Sequence, residues 1–160
     1  MASFAKISEE NEVISVHVVA DSDTSQDGVE NESVGQAFLE KVHKWPANLW
    51  IKCSYNTAKG VHALGGTPFR ANYPATGYLW NPENQIFTTK KPYASWTLDT
   101  TTGVWNPPVA KPAFQEDAAN KSPIRHYEWD EENQQWNKVK EDVWVEAQND
   151  YIDSEDPLAQ

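Results

Sequence analysis

Apolar residues alternate along much of this chain with a period of two, the spacing of a strand with one buried face. Phe4 to Ile7 and Val13 to Ala20 are the first such stretches, joined by the polar run Ser8-Glu9-Glu10-Asn11-Glu12, and predict an opening hairpin. In its second strand Ile14, Val16 and Val18 alternate with Ser15 and His17, which predicts a buried Ile/Val face with His17 on the other side. The pattern changes at Ser33. From there to Trp45, Val34, Phe38 and Val42, flanked by Ala37 and Leu39, recur at helical spacing, with Ser33 as the expected cap and Pro46 beyond the end. Leu49 to Tyr55 returns to strand character. Asn56 to Gly77 holds too many glycines and prolines for a regular element, and is read as an ordered loop packed on the sheet.

In the second half one short pattern occurs three times. Tyr78-Leu79-Trp80-Asn81 is closed by Phe87, Trp96-Thr97-Leu98-Asp99 by Trp105, and Tyr127-Glu128-Trp129-Asp130 by Trp136. Each has an aromatic, any residue, a large apolar residue and an Asx, then an aromatic six positions after the Asx. The intervening residues are turn formers. The pattern predicts a hairpin in which the Asx side chain caps the turn and the closing aromatic packs across the strand pair. The opening turn resembles Asp130-Glu131-Glu132-Asn133, so the first hairpin reads as a degenerate fourth copy. Lys90 to Tyr93 and Asn106 to Pro112 are extended connectors, the second polyproline-like. Val143, Trp144 and Val145 offer a last strand or a segment that docks on a neighbour.

The expected fold is therefore mainly β (α+β). An α+β part covers residues 1–70, a repeated-hairpin region residues 71–145, and an acidic tail residues 146–160. Trp144 joins Tyr78, Trp80, Asn81, Phe87, Trp96, Asp99, Trp105, Tyr127, Trp129, Asp130 and Trp136 as the hairpin and interface candidates.

Charge narrows the partners. A formal charge of −11 and a pI near 4.7 oppose a nucleic-acid surface or an anionic membrane surface. No apolar run approaches a membrane span, and with Glu9, Glu10 and Glu12 near the start no signal peptide is expected. The lone Cys53 excludes an intrachain disulfide.

The candidate chemistries are thin. Asp21, Asp23, Ser25, Asp27 and Glu32 fit a calcium-loop template, but Gln26 stands where its sharp turn needs glycine. Cys53 with His43 or His62 would make a nucleophile and base, yet Cys53 lies in a predicted strand. Glu128, Asp130, Glu131 and Glu132 beside Trp129 resemble the carboxylates of a glycosidase, but only the Asx persists in all three copies. No enzyme, metal or cofactor is expected. Two readings of the aromatics stand. They stack on sugar rings, or they staple hairpins too small for a large core, and their fixed positions favour the second.

Several stretches together resemble the small virion structural proteins of marine tailed phages, especially those of cyanobacteria. They are Phe4-Ala5-Lys6, Glu32-Ser33-Val34-Gly35, Lys52-Cys53-Ser54-Tyr55-Asn56-Thr57, Gly65-Gly66-Thr67-Pro68-Phe69-Arg70-Ala71-Asn72-Tyr73, Lys91-Pro92-Tyr93-Ala94-Ser95-Trp96 and Tyr127-Glu128-Trp129-Asp130. The resemblance covers roughly residues 3–137. It implies a non-enzymatic particle component located in the virion and assembled in the host cytoplasm. Its partners would be capsid, neck or tail subunits, with self-association open. The alternative class is a receptor-binding module that uses exposed Trp and Tyr on host glycans.

Overall fold

The computed structural model describes residues 1–113, 126–139, 143–145 and 150–152. These form two compact units. The first is Met1–Pro92 with Thr97–Asn106, and the second is Tyr93–Trp96 with Pro107–Gln160. The architecture is mainly β with one α-helix and several small antiparallel hairpin sheets. The hairpin region read over 71–145 is thus divided. Its first two hairpins belong to the first unit and its third to the second.

The first unit is built on a three-stranded antiparallel sheet. Strand β1 (Ala2–Ile7) lies between β2 (Val13–Val19) and the later β5 (Trp50–Cys53). Directly opposed residues share a face, and the register gives Phe4↔His17 and Phe4↔Lys52 on one side, Ala5↔Val16 and Ala5↔Ile51 on the other. Both faces are covered. On one, Ala2, Phe4, Val19 and Trp50 pack with Leu39 of the helix α1 (Glu32–His43). On the other, Ala5, Ile7, Val13, Ile51 and Cys53 pack with Trp80 and Phe87. This layering corrects the one-sided reading of β2. His17 sits on the helix face, with ring centroids 4.8 Å from His43 and 5.1 Å from Trp50. Ile14 is exposed at the register shift between Lys6 and Ile7, where it has no partner in the pairing, and Val18 is exposed on the edge strand opposite Ser3.

The helix also departs from the expected pattern. Its cap is Asn31, whose side-chain oxygen accepts from Ser33 N at 2.9 Å, so Ser33 lies inside the first turn. It ends at Lys44 in the left-handed region (φ 55°), ahead of Trp45-Pro46. The buried positions are Gly35 and Leu39, while Val42 faces solvent. Hydrophobic patterning misses Gly35 because its contribution is an absence: a Cβ there would stand 2.4 Å from Phe4 Cζ.

Two stretches read as loops contain small hairpins. Strands β3 (Ser25–Gln26) and β4 (Val29–Glu30) are joined by Asp27-Gly28, and β6 (Thr57–Ala58) and β7 (Val61–His62) by Lys59-Gly60. All four turn residues have positive φ, the primed two-residue turn that matches strand twist. The calcium template is consumed by this geometry. Its last position, Glu32, accepts from Arg70 Nη1 and Nη2 at 2.7 and 2.9 Å. Among the described residues no group of His, Cys, Asp and Glu is placed to hold a metal ion.

The first two Asx hairpins are β8 (Leu79–Asn81) with β9 (Ile86–Thr88), and β10 (Thr97–Asp99) with β11 (Val104–Asn106). The first docks on the opening turn, with Val13 N donating to Tyr78 O and Trp80 N to Asn11 O. Asn72 ties the two together. Its Nδ2 donates to Phe87 O at 2.8 Å and to Gly103 O at 3.2 Å, and its Oδ1 accepts from Lys59 N.

In the second unit β12 (His126–Asp130) pairs with β13 (Gln135–Val139) and β14 (Val143–Val145) with β15 (Asp150–Ile152). The last strand read at Val143–Val145 is present, with Trp144 opposite Tyr151. Its partner comes from the segment read as tail, whose other residues, like the insertion Gln115–Lys121, lie outside the described residues. No helix among the described residues is long and apolar enough to cross a membrane.

Candidate functional site

The third Asx hairpin and the short segment Tyr93–Trp96 build the most distinctive local surface. Register places Trp129 directly opposite Trp136, as it places Trp80 opposite Phe87 and Leu98 opposite Trp105. In each case the residue before the Asx meets the closing aromatic. The Asx side chains accept the turn's N–H groups: Asn81 from Asn84 at 3.0 Å, Asp99 from Thr101 at 2.8 Å, Asp130 from Asn133 at 3.0 Å. Gln85, Gly103 and Gln134, each four residues after its Asx, have positive φ. These turn bonds hold Asp99 and Asp130 ionised to lower pH than an ordinary carboxyl. For Asp99 the donors are the Thr102 and Thr101 amides; for Asp130 they are led by the Asn133 side chain and amide. The opening turn differs. Ser8 Oγ is the acceptor, and the positive-φ residue, Asn11, comes one position earlier.

The sequence around Glu131 folds the site together. Ser95 N and Oγ donate to the two oxygens of the Glu131 carboxylate at 2.8 and 2.7 Å, and Trp129 Nε1 donates to the same group at 2.8 Å. This clamp sets Trp96, the next residue along, against both tryptophans of the hairpin. Ring centroids lie 6.2 Å apart for Trp96–Trp129, 6.1 Å for Trp96–Trp136 and 5.3 Å for Trp129–Trp136. Tyr93 stands 5.5 Å from Trp96. Trp136 Nε1 donates to Val109 O at 2.8 Å, and Lys111 Nζ lies 5.2 Å from the Trp136 ring. Tyr93, Trp96, Tyr127, Trp129, Trp136 and Glu128 line a cavity of about 370 Å³. Trp96 Nε1 is buried and has no hydrogen-bond partner among the described residues.

Comparison with known protein families, curated proteins and solved structures finds no match.

The site residues read from sequence fall into two groups. Tyr78, Trp80, Asn81, Phe87, Asp99 and Trp105 belong to the first unit. There Trp80 and Phe87 are core and Tyr78 packs against it. Trp105 is half-buried, with Nε1 donating to Thr89 O at 2.9 Å. Trp96, Tyr127, Trp129, Asp130 and Trp136 belong to the second unit, and all but Asp130 line the cavity. Asp130 is occupied by its turn, its second oxygen accepting from Asn133 and Asn137 side chains. The carboxylates read as a glycosidase-like set are therefore divided: Asp130 serves the turn, Glu131 the clamp, and Glu128 the cavity rim.

Sequence reasoning missed Tyr93, Ser95 and the clamping role of Glu131. Their stretch, Lys91 to Trp96, stood out in the resemblance, but no periodicity gave those residues a role. The thiol pair is not assembled either. Cys53 packs on the face opposite the helix that carries His43. Burial pushes its thiol up to about 12, outweighing the nearby Arg70 charge. His62 Nδ1 accepts from Leu64 N and Gly66 N within its own loop.

Proposed function

We propose that this chain is a non-enzymatic structural component of a tailed-phage virion, binding other particle proteins as an exterior accessory: a capsid decoration, a neck component or a tail appendage. It reaches the virion by assembly in the host cytoplasm. The observation that carries this reading is the make-up of the second unit, whose described strands form only two-stranded sheets. A two-stranded hairpin is marginal in water, and a partner surface supplies the missing burial. The resemblance over residues 3–137 supplies the particle.

In this reading the three Asx hairpins are copies of one closing device, and residues 106–112 are a semi-rigid spacer that lets the copies reach separate surfaces. What supports the first point is the shared register, the shared Asx bond and the shared positive φ. The use of Trp and Tyr as an open sugar-stacking face is disfavoured, because Trp80 and Trp129 are only 6% and 7% exposed.

Mass spectrometry of purified virions tests the proposal. The chain is expected in stoichiometric amounts, and cryo-EM is expected to show it on the particle exterior. Virions that lack it overturn the reading.

A further inference from the structure

The cavity of the second unit has a shape that neither hairpin closure nor a sugar platform requires. A platform for a pyranose presents aromatic faces close to one plane. Here the Trp96 and Trp129 planes meet at 81°, Trp129 and Trp136 at 66°, and Trp96 and Trp136 at 59°. The rings stand as walls around a space, with Tyr93 and Tyr127 completing the lining. Aromatic faces carry the negative end of the ring quadrupole, and rings inclined to one another direct several such faces at one compact cation.

Charge points the same way. Among the described residues Glu128 is the one carboxylate in the lining, and its side chain is 68% exposed at the rim. Its Oε1 lies 3.4 Å from His126 Nε2. The whole chain carries −11. Lys111 Nζ lies 5.2 Å from the Trp136 ring, so that ring takes a cation, and the same ammonium is a like charge that the acidic rim must outweigh. The walls are also held in advance. Trp129 is fixed through Glu131, itself clamped by Ser95, and Trp136 through the Val109 carbonyl. Groups held in place before binding spare a ligand the cost of ordering them.

We propose that this pocket is an aromatic cage for a quaternary ammonium group, with Glu128 supplying the counter-charge at its mouth. An unmethylated ammonium is a compact, strongly hydrated charge. A trimethylammonium group spreads its charge over an apolar surface, so it loses less on entering indole walls. The group can arrive on a free amine such as choline or on a phosphocholine headgroup. The acidic rim and the net negative charge select the free amine, because a phosphate beside Glu128 adds repulsion. The proposal stands apart from the virion reading and survives its failure.

The test is a titration of the full-length protein with tetramethylammonium, choline, phosphocholine and 3,3-dimethylbutan-1-ol, the neutral isostere of choline. Tryptophan fluorescence and indole N–H NMR shifts are the readouts, with sodium chloride as the ionic-strength control. Tetramethylammonium and choline are expected to give saturable changes. The neutral isostere is expected to bind roughly threefold to thirtyfold more weakly, the range a cation–π contribution supplies. Phosphocholine is expected to bind more weakly than choline. Glu128→Gln, a change at an exposed position, is expected to weaken choline by roughly two- to fivefold with the circular dichroism spectrum unchanged. No saturable response to either amine overturns the proposal. So does a neutral isostere that binds as tightly as choline. Phosphocholine binding as tightly as choline, or an unchanged affinity in Glu128→Gln, overturns the role of Glu128.

Discussion

Arg70 is the residue whose removal should most damage the first unit. Its guanidinium donates to both oxygens of Glu32 at 2.7 and 2.9 Å and to the Lys52 carbonyl at 2.7 Å, and it lies 5.0 Å from the Trp80 ring. Glu32 Oε1 also accepts from Lys52 N at 2.9 Å. One side chain thus joins the helix start, the edge strand β5 and the first Asx hairpin. The Arg70 and Glu32 side chains are 14% and 29% exposed. At an effective dielectric near 20 and about 4 Å separation the gross attraction is about 4 kcal/mol. Exposure of Glu32 and the desolvation already spent reduce the net. Arg70→Met leaves the Lys52 carbonyl unpaired, at about 1–3 kcal/mol, and strands the carboxylate. The expected loss is about 2–4 kcal/mol. Glu32→Gln keeps an acceptor for Lys52 N and should cost less, about 1–2 kcal/mol. The two are in contact, so the double variant should lose less than the sum, with a coupling of about 1.5–3 kcal/mol. Urea unfolding followed by tryptophan fluorescence measures all four proteins. Additivity within about 0.5 kcal/mol would refute the reasoning, because independent sites add to that precision.

Three further outcomes are expected. Gly35→Ala should destabilise the protein by about 2 kcal/mol despite the better helix propensity of alanine, since the new Cβ meets the fully buried Phe4 ring; an unchanged or raised urea midpoint refutes the packing. Cys53 should resist a thiol-disulfide reagent at pH 8 in the folded protein and give one thiol on unfolding, because its pKa is pushed up to about 12 and it is 3% exposed; rapid labelling of the native protein refutes this. Asp99 should titrate below the usual 3.8 in carboxyl-carbon NMR. The lowered folded value means its stabilising share is complete above the unfolded pKa and is lost as pH falls through the folded one. Asp99→Asn should abolish that pH dependence yet keep the turn, as Asn81 does in the first hairpin; a hairpin that opens in this variant refutes the equivalence.

Local chemistry made much of the chain legible. Alternation located β1, β2 and β5, helical spacing located α1 to within a few residues, and the Asx-to-aromatic interval located all three hairpins. Asp27-Gly28 is a dipeptide that favours the positive φ of a primed turn, while in Lys59-Gly60 only the glycine does; in both, strands two residues long leave no periodicity. The Asx cap was readable because a turn is made by residues that are neighbours in sequence.

What the sequence by itself determined is therefore the local devices: strands, helix, Asx-closed turns, and the aromatic pairs that meet across them. Only the tertiary structure decided which of those aromatics become core and which become walls. Trp80 and Trp129 occupy equivalent positions beside an Asx, and both are buried. Trp80 is buried against Ile51 and Cys53 of a sheet, whereas Trp129 meets Trp96, delivered by a clamp between Ser95 and Glu131, 36 residues apart in the chain. The physical reason is range. A turn is specified by hydrogen bonds between residues two to four apart, but a cavity is specified by which distant segments share it. No spacing within one hairpin encodes the Ser95–Glu131 bond that closes this one.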